Sequence, residues 1–221
     1  VRILVDGMES WIDMEGNPYF YGLSSHENVE IKLYNKANPL KPWKTMGRMH
    51  DKYLIADGKI YILGGRNTYN YFLGAFPGHK NFDRDVLVVC DEPQKDNSVN
   101  QLWNYFETIW EQEDCRYFHN SKKLADRQSV KKAVLELQEG YQQYFEVNKE
   151  KICDTDYADE TFETEKITLL SNPIHTQAKE PVVWYQLGEL MKNAKERVKI
   201  HTPYIICNDM MYNTWEEIAQ K

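Results

Sequence analysis

Gly47-Arg48-Met49-His50-Asp51-Lys52-Tyr53-Leu54-Ile55-Ala56-Asp57-Gly58-Lys59-Ile60-Tyr61-Ile62-Leu63-Gly64-Gly65-Arg66-Asn67 reads as a β-hairpin with a polar constellation at its open end. Asp57-Gly58 lies between two apolar β runs, and glycine tolerates the positive φ that a tight primed turn demands. Side chains alternate along a strand, so His50 and Lys52 share one side while Asp51 and Tyr53 share the other. Gly64-Gly65 removes two side chains where backbone approaches a ligand closely, and the Asn67 amide is able to donate to an anionic oxygen. From Lys41 to Arg66 six basic residues (Lys41, Lys44, Arg48, Lys52, Lys59 and Arg66) stand against two acids, Asp51 and Asp57. This neighbourhood is expected to be positive and to suit a phosphate. A lone histidine is weak evidence for catalysis; the spacing around His50 is what gives it weight.

Outward from the hairpin, short runs rich in Val, Ile, Leu or Tyr predict strands over residues 1–5, 29–34, 53–56, 60–63 and 86–90. Helical periodicity follows. Val99, Leu102, Trp103, Phe106, Ile109 and Trp110 form one apolar stripe, and Val130, Val134, Leu137, Tyr141, Tyr144 and Phe145 a second. Both stripes are read as packing faces that dock helices on a sheet. Residues 154–165 hold six acids and no basic residue, the composition of a solvated linker. Beyond it the pattern restarts: a strand at 167–170, a helix through Val183, Trp184, Leu187, Leu190, Met191 and Ala194, and a strand at 198–201. A helix is expected to start at 215–221. The expected organisation is thus a first unit over 1–150, an acidic linker over 151–165, and the beginning of a second α/β unit over 166–221.

The 221 residues, 42% hydrophobic and 13% aromatic, exclude an intrinsically disordered chain. Nothing approaches the roughly 18 consecutive apolar residues of a spanning helix, and the first residues lack a signal peptide's basic start and apolar core. The chain is expected to be soluble as it stands. Its ends, an apolar alternation already under way at Val1 and a helix without a stop signal at Lys221, are expected to be internal to a longer protein. A net charge of -7 argues against wrapping nucleic acid over the whole surface. The four cysteines (Cys90, Cys115, Cys153, Cys207) are widely spaced without a CxxC pair and read as free thiols rather than a metal or redox site.

His50, Lys52, Asp57, Gly64, Gly65 and Asn67 reproduce HxKxxxxDxxxxxxGGxN, and in this the chain resembles the phospholipase D superfamily. The resemblance extends further. Val1-Arg2-Ile3-Leu4-Val5-Asp6-Gly7 looks like the early strand of such a domain, and Phe82-Asp83-Arg84-Asp85-Val86-Leu87-Val88 like the acidic strand after its motif. Lys199-Ile200-His201-Thr202-Pro203-Tyr204 looks like the strand opening the second half in the cardiolipin synthase branch. What the resemblance implies is an α/β fold, a mixed β-sheet flanked by helices in an α-β-α sandwich, forming one half of a pseudo-dimeric enzyme. In that family each half gives one such motif to a single site, and this chain contains one.

The implied chemistry is phosphoryl transfer without a metal or other cofactor. One histidine attacks phosphorus, the histidine of the other motif protonates the leaving alcohol, and Lys and Asn side chains neutralise the phosphoryl oxygens. By resemblance His50 takes a histidine role, usually that of nucleophile, and Lys52, Asn67 and Gly65 form the phosphate-binding set. Asp57 belongs to the motif and is more often structural. Asp85 is the expected carboxylate partner of a catalytic histidine, with Asp83 second. The remaining histidines (His26, His79, His119, His175, His201) have no comparable context, and His201 is expected in a buried strand.

The expected function is phosphatidyl transfer of the cardiolipin synthase type, with phosphatidylglycerol-like phospholipids as substrates. A phosphodiesterase or nuclease using water as acceptor, and a non-catalytic phosphate-binding fragment, are the alternatives. The Tyr-rich residues 69–77 are a candidate lining for an apolar groove or a core loop. The expected partners are a second motif-bearing half, in cis or from a homodimer, and the cytoplasmic side of the membrane through the full-length protein; no nucleic acid is expected.

Overall fold

The computed structural model describes residues 1–36, 38–69, 72–73, 78, 81–90, 96–119, 121–174 and 180–220. They divide into two units, Val1–Leu169 and Leu170–Lys221.

The first unit begins with β1 (Arg2–Asp6), whose last residue also caps α1 (Gly7–Asp13): the Asp6 carboxylate accepts from the amides of Met8 and Glu9 at 3.0 and 3.2 Å. Asn17-Pro18 then starts α2 (Pro18–Ser24), with Asn17 as cap and proline where its missing N–H costs nothing. β2 (Glu30–Tyr34), β3 (Tyr53–Ala56), β4 (Ile60–Gly64) and β5 (Asp85–Val89) follow, then α3 (Ser98–Trp110) and β6 (Cys115–Tyr117). The short α4 (Lys122–Ala125) leads into the long α5 (Gln128–Cys153). Among the described residues the strands form two three-stranded sheets, β1-β2-β6 and β3-β4-β5. The first is mixed, β1 and β2 running parallel and β6 antiparallel to β2. The second is antiparallel throughout. The class is therefore mixed α/β, and the five strands expected between residues 1 and 90 are present to within a residue at each end.

Two apolar clusters hold this unit. Met14, Tyr21, Ile31, Leu33, Phe118 and Val130 join α2, β2 and the start of α5. Tyr61, Val99 and Leu102 bury the face of the second sheet against α3, with Tyr53, Ile55, Leu63, Val88 and Tyr105 packed around them. The first apolar stripe thus docks as its periodicity requires. The second does so only at its beginning. Val130 and Ala133 are buried, whereas Leu137, Tyr141 and Tyr144 are about half exposed or more. The reason is length: 26 residues span roughly 39 Å at about 1.5 Å each, and the seven-residue α2 and the short α4 reach only the first turns.

The acidic stretch contains a 3₁₀ turn, Tyr157–Glu160, in which Asp156 accepts from the Ala158 amide at 2.9 Å. The second unit consists of α6 (Val182–Lys192) and α7 (Asp209–Ala219), with Trp184 and Trp215 rings 5.8 Å apart and Lys192 paired with Glu217 at 2.6 Å. The strands expected at 167–170 and 198–201 do not form. A β-rich run becomes a strand only through a hydrogen-bonded neighbour, and none of the described strands pairs with either. Val198 and Ile200 are accordingly exposed, as is His201, which is not the buried strand residue expected. The last helix starts at Asp209 rather than Trp215, because Asn208 accepts from the Met211 amide and supplies the cap. Among the described residues no helix is long and apolar enough to cross a membrane.

Candidate active site

Hairpin geometry assembles the open end of β3-β4-β5. Tyr53 pairs with Leu63 and Ala56 with Ile60, and the Lys59 amide closes the turn on the Ala56 carbonyl at 3.0 Å. Asp57 and Gly58 have φ of 53° and 65°; positive φ at both central positions is the mark of a type I′ turn. At the other end the Gly64 amide donates to the Lys52 carbonyl at 3.2 Å, and Gly64 pairs with Asp85 on β5. Lys52, Gly64 and Asp85 therefore lie in one row across the three strands. Asp57 does not join them: it sits exposed at the closed end, roughly 16 Å from Lys52 at about 3.3 Å per residue.

His50 is exposed and just outside the ladder. Lys52 Nζ donates to its carbonyl at 2.6 Å, and among the described residues its imidazole has no hydrogen-bond partner. The segment is moored on both sides. Behind it, the Met49 amide and Arg48 Nε donate to the two oxygens of Asp6, each at 2.9 Å, while the Arg48 guanidinium also reaches Glu9 at 2.7 Å. Between His50 and Lys52, Asp51 accepts from the Tyr105 hydroxyl of α3 at 2.6 Å. Tyr53 lies on that same side, its ring 6.2 Å from Tyr105 and 6.4 Å from Phe106, as strand alternation requires. Burial raises the Tyr105 hydroxyl above the usual tyrosine range, helped by its bond to Asp51, so it stays a donor at neutral pH. Burial also pushes the Lys52 ammonium below its ordinary value, against the opposing pull of Asp51 and Asp83. Partial desolvation strengthens what this ammonium offers an anion.

The acidic strand is held differently from the expectation of a histidine partner. Arg66 Nε donates to Asp85 Oδ2 at 2.7 Å. Asp85 Oδ1 is shielded from solvent and has no hydrogen-bond partner among the described residues. Asp83 Oδ1 accepts from the Arg84 amide at 2.8 Å. The two glycines are needed by these carboxylates: a Cβ on Gly64 would lie 1.9 Å from Asp85 Oδ1, and one on Gly65 2.6 Å from Asp83 Oδ2. Asn67 lies exposed just past β4. Of the Tyr-rich residues 69–77, residues 70, 71 and 74–77 lie outside those described.

The expected local surplus of positive charge is largely cancelled across the fold. Lys44 pairs with Asp114, Arg48 with Asp6 and Glu9, and Arg66 with Asp85. At the open end of the hairpin Lys52 keeps a cation without an ion pair among the described residues. Sequence reasoning did not foresee Asp6, Tyr105 or the clamp made by Arg66. Asp6 was legible as a strand-ending cap; the other two carry no local signal.

A histidine and a lysine are thus presented at the glycine-lined end of an antiparallel sheet, on a mixed α/β domain. Residues 1–110 match the family model described as cardiolipin synthase, PLD-like domain. The chain thus carries, over those residues, a phospholipase D-like domain of the cardiolipin synthase-like branch, a superfamily of phosphodiesterases and transferases. No curated protein and no solved structure matches the chain significantly.

Proposed function

We propose that this chain supplies one catalytic half of a phosphatidyltransferase of the cardiolipin synthase type. The supporting observation is the row Lys52, Gly64 and Asp85 with His50 exposed at its end. An imidazole nitrogen of His50 attacks phosphorus of a phospholipid phosphodiester; the N–P bond forms as the P–O bond to the leaving alcohol breaks. A histidine from a second HxK segment, in cis or from a second copy, protonates that alcohol. It then takes the proton of an acceptor hydroxyl, whose oxygen attacks phosphorus and releases His50. Lys52, with two N–H groups left after its bond to the His50 carbonyl, and the exposed Asn67 amide balance the phosphoryl charge. Asp85 Oδ1, a buried acceptor without a partner among the described residues, supports this residue over Asp83 as the one that orients a histidine. The organisation of residues 1–150, 151–165 and 166–221 as first half, linker and start of a second half belongs to this reading, as does docking on a phospholipid membrane.

The test feeds phosphatidylglycerol vesicles or single-stranded DNA to the full-length protein and follows products by mass spectrometry. A diphosphatidyl product that disappears with His50→Ala is expected. Equal activity in wild type and His50→Ala refutes the catalytic assignment, and nucleotide release without the lipid product favours a nuclease.

A further inference from the structure

Arg66 occupies the open position of the GGxN signature, and by charge alone it is an obvious ligand for a phosphate. Its hydrogen bonds point elsewhere. One guanidinium reaches three segments: Nε to Asp85 Oδ2 at 2.7 Å, one terminal nitrogen to the Phe72 carbonyl at 3.0 Å, and the other to the Asp83 carbonyl at 3.2 Å. Three of its five N–H donors are committed in directions set by a planar fork. Two of those bonds go to backbone, which a phosphate cannot displace without leaving half-buried carbonyls to find another donor. The third neutralises a carboxylate whose other oxygen, Asp85 Oδ1, is shielded over Gly64 and has no partner among the described residues. A half-buried carboxylate with a bare oxygen is costly unless a cation holds it.

We infer that Arg66 is a positioning residue rather than a phosphate ligand: it fixes Asp85 over Gly64 so that Oδ1 faces away from the clamp as an acceptor for a ring N–H. The inference rests on the site proposed above, since it gives the oriented oxygen its purpose. The clamp explains why two glycines must precede the arginine. Any side chain at Gly64 would displace the carboxylate that Arg66 holds, and one at Gly65 would strike Asp83, next along β5's entry.

Substituting lysine separates the roles, because a point charge serves a phosphate but cannot make three directed bonds. In the full-length protein, Arg66→Lys is expected to lower kcat on the order of 10- to 100-fold, the cost of a misplaced group, with KM within about twofold of wild type and a changed pH profile. Wild-type kcat in Arg66→Lys, or a raised KM with kcat intact, overturns the inference. His50→Ala is run beside it: activity surviving that change sinks the proposed function instead. A second measurement needs no turnover. In this chain the Arg66 Nε proton should give a protected resonance that shifts in Asp85→Asn and is indifferent to millimolar inorganic phosphate. A resonance that answers to phosphate and ignores Asp85→Asn refutes the clamp.

Discussion

Asp6→Ala removes the acceptor that ties the start of the HxK segment to the end of β1. The Asp6 side chain is only 10% exposed and accepts four hydrogen bonds: from the Met8 and Glu9 amides at the head of α1, from Arg48 Nε, and from the Met49 amide. The helix cap contributes about 1 kcal/mol, and a half-buried Met49 amide left without an acceptor costs about 1–2 kcal/mol. Arg48 is 42% exposed, so solvent screening holds its share below about 1 kcal/mol. The expected loss is about 3 kcal/mol, or roughly 10 °C in Tm for a chain of this size. Asp6→Asn should fall between: its Oδ1 keeps the cap, but its amide nitrogen meets the Met49 amide donor to donor. Urea titrations followed by circular dichroism give the free energies, and amide exchange at Met49 should quicken at least about tenfold, since 1.4 kcal/mol is a factor of ten. A loss below about 1 kcal/mol in Asp6→Ala, or unchanged Met49 exchange, would refute the two-sided mooring of His50.

Three further outcomes are expected. Gly64→Ala places a Cβ 1.9 Å from Asp85 Oδ1 and 2.9 Å from the Asp85 Cα, so backbone must move; a loss of about 2 kcal/mol in urea denaturation is expected, and a neutral result would contradict the packing. Tyr105→Phe deletes the hydroxyl bonded to Asp51 and should lower kcat of the full-length protein more than its stability, with about 1 kcal/mol in the latter; equal kcat would free Tyr105 of any part in placing His50. The bond from Arg2 holds Glu107 below the usual glutamate range, so its stabilisation is present above the unfolded pKa of 4.5 and fades as pH falls through the lower folded value. Glu107→Gln should therefore be less stable than wild type at pH 6 and converge with it in acid; a gap that persists at pH 2 would show the pair is not the cause.

The hairpin was legible because every signal for it is local. Asp57-Gly58 permits only a narrow set of turns, and the alternation around it assigns Asp51 and Tyr53 to one side before any tertiary contact is known. Asn17-Pro18 and Asn208 are equally local signals, each capping the helix that follows it. The strands at 167–170 and 198–201 failed for the opposite reason. Their composition is β-like, yet a ladder is a relation between two segments, and no described strand stands beside them. The second apolar stripe made the same point for a helix: its periodicity was real, but a partner exists only for its first turns.

The sequence alone determined the spacing that places His50, Lys52, Gly64, Gly65 and Asn67 at one end of a hairpin, since turn geometry and side-chain alternation act over a few residues. Tertiary structure decided which charges are free to act there. Lys44, Arg48 and Arg66 find carboxylates on other segments, Asp114, Asp6 with Glu9, and Asp85. Counting basic residues along the chain cannot detect this, because an ion pair forms through space between segments that the fold brings together. What is left at the open end is Lys52 beside His50, with Asp85 held in place by the arginine that charge counting would have assigned to the phosphate.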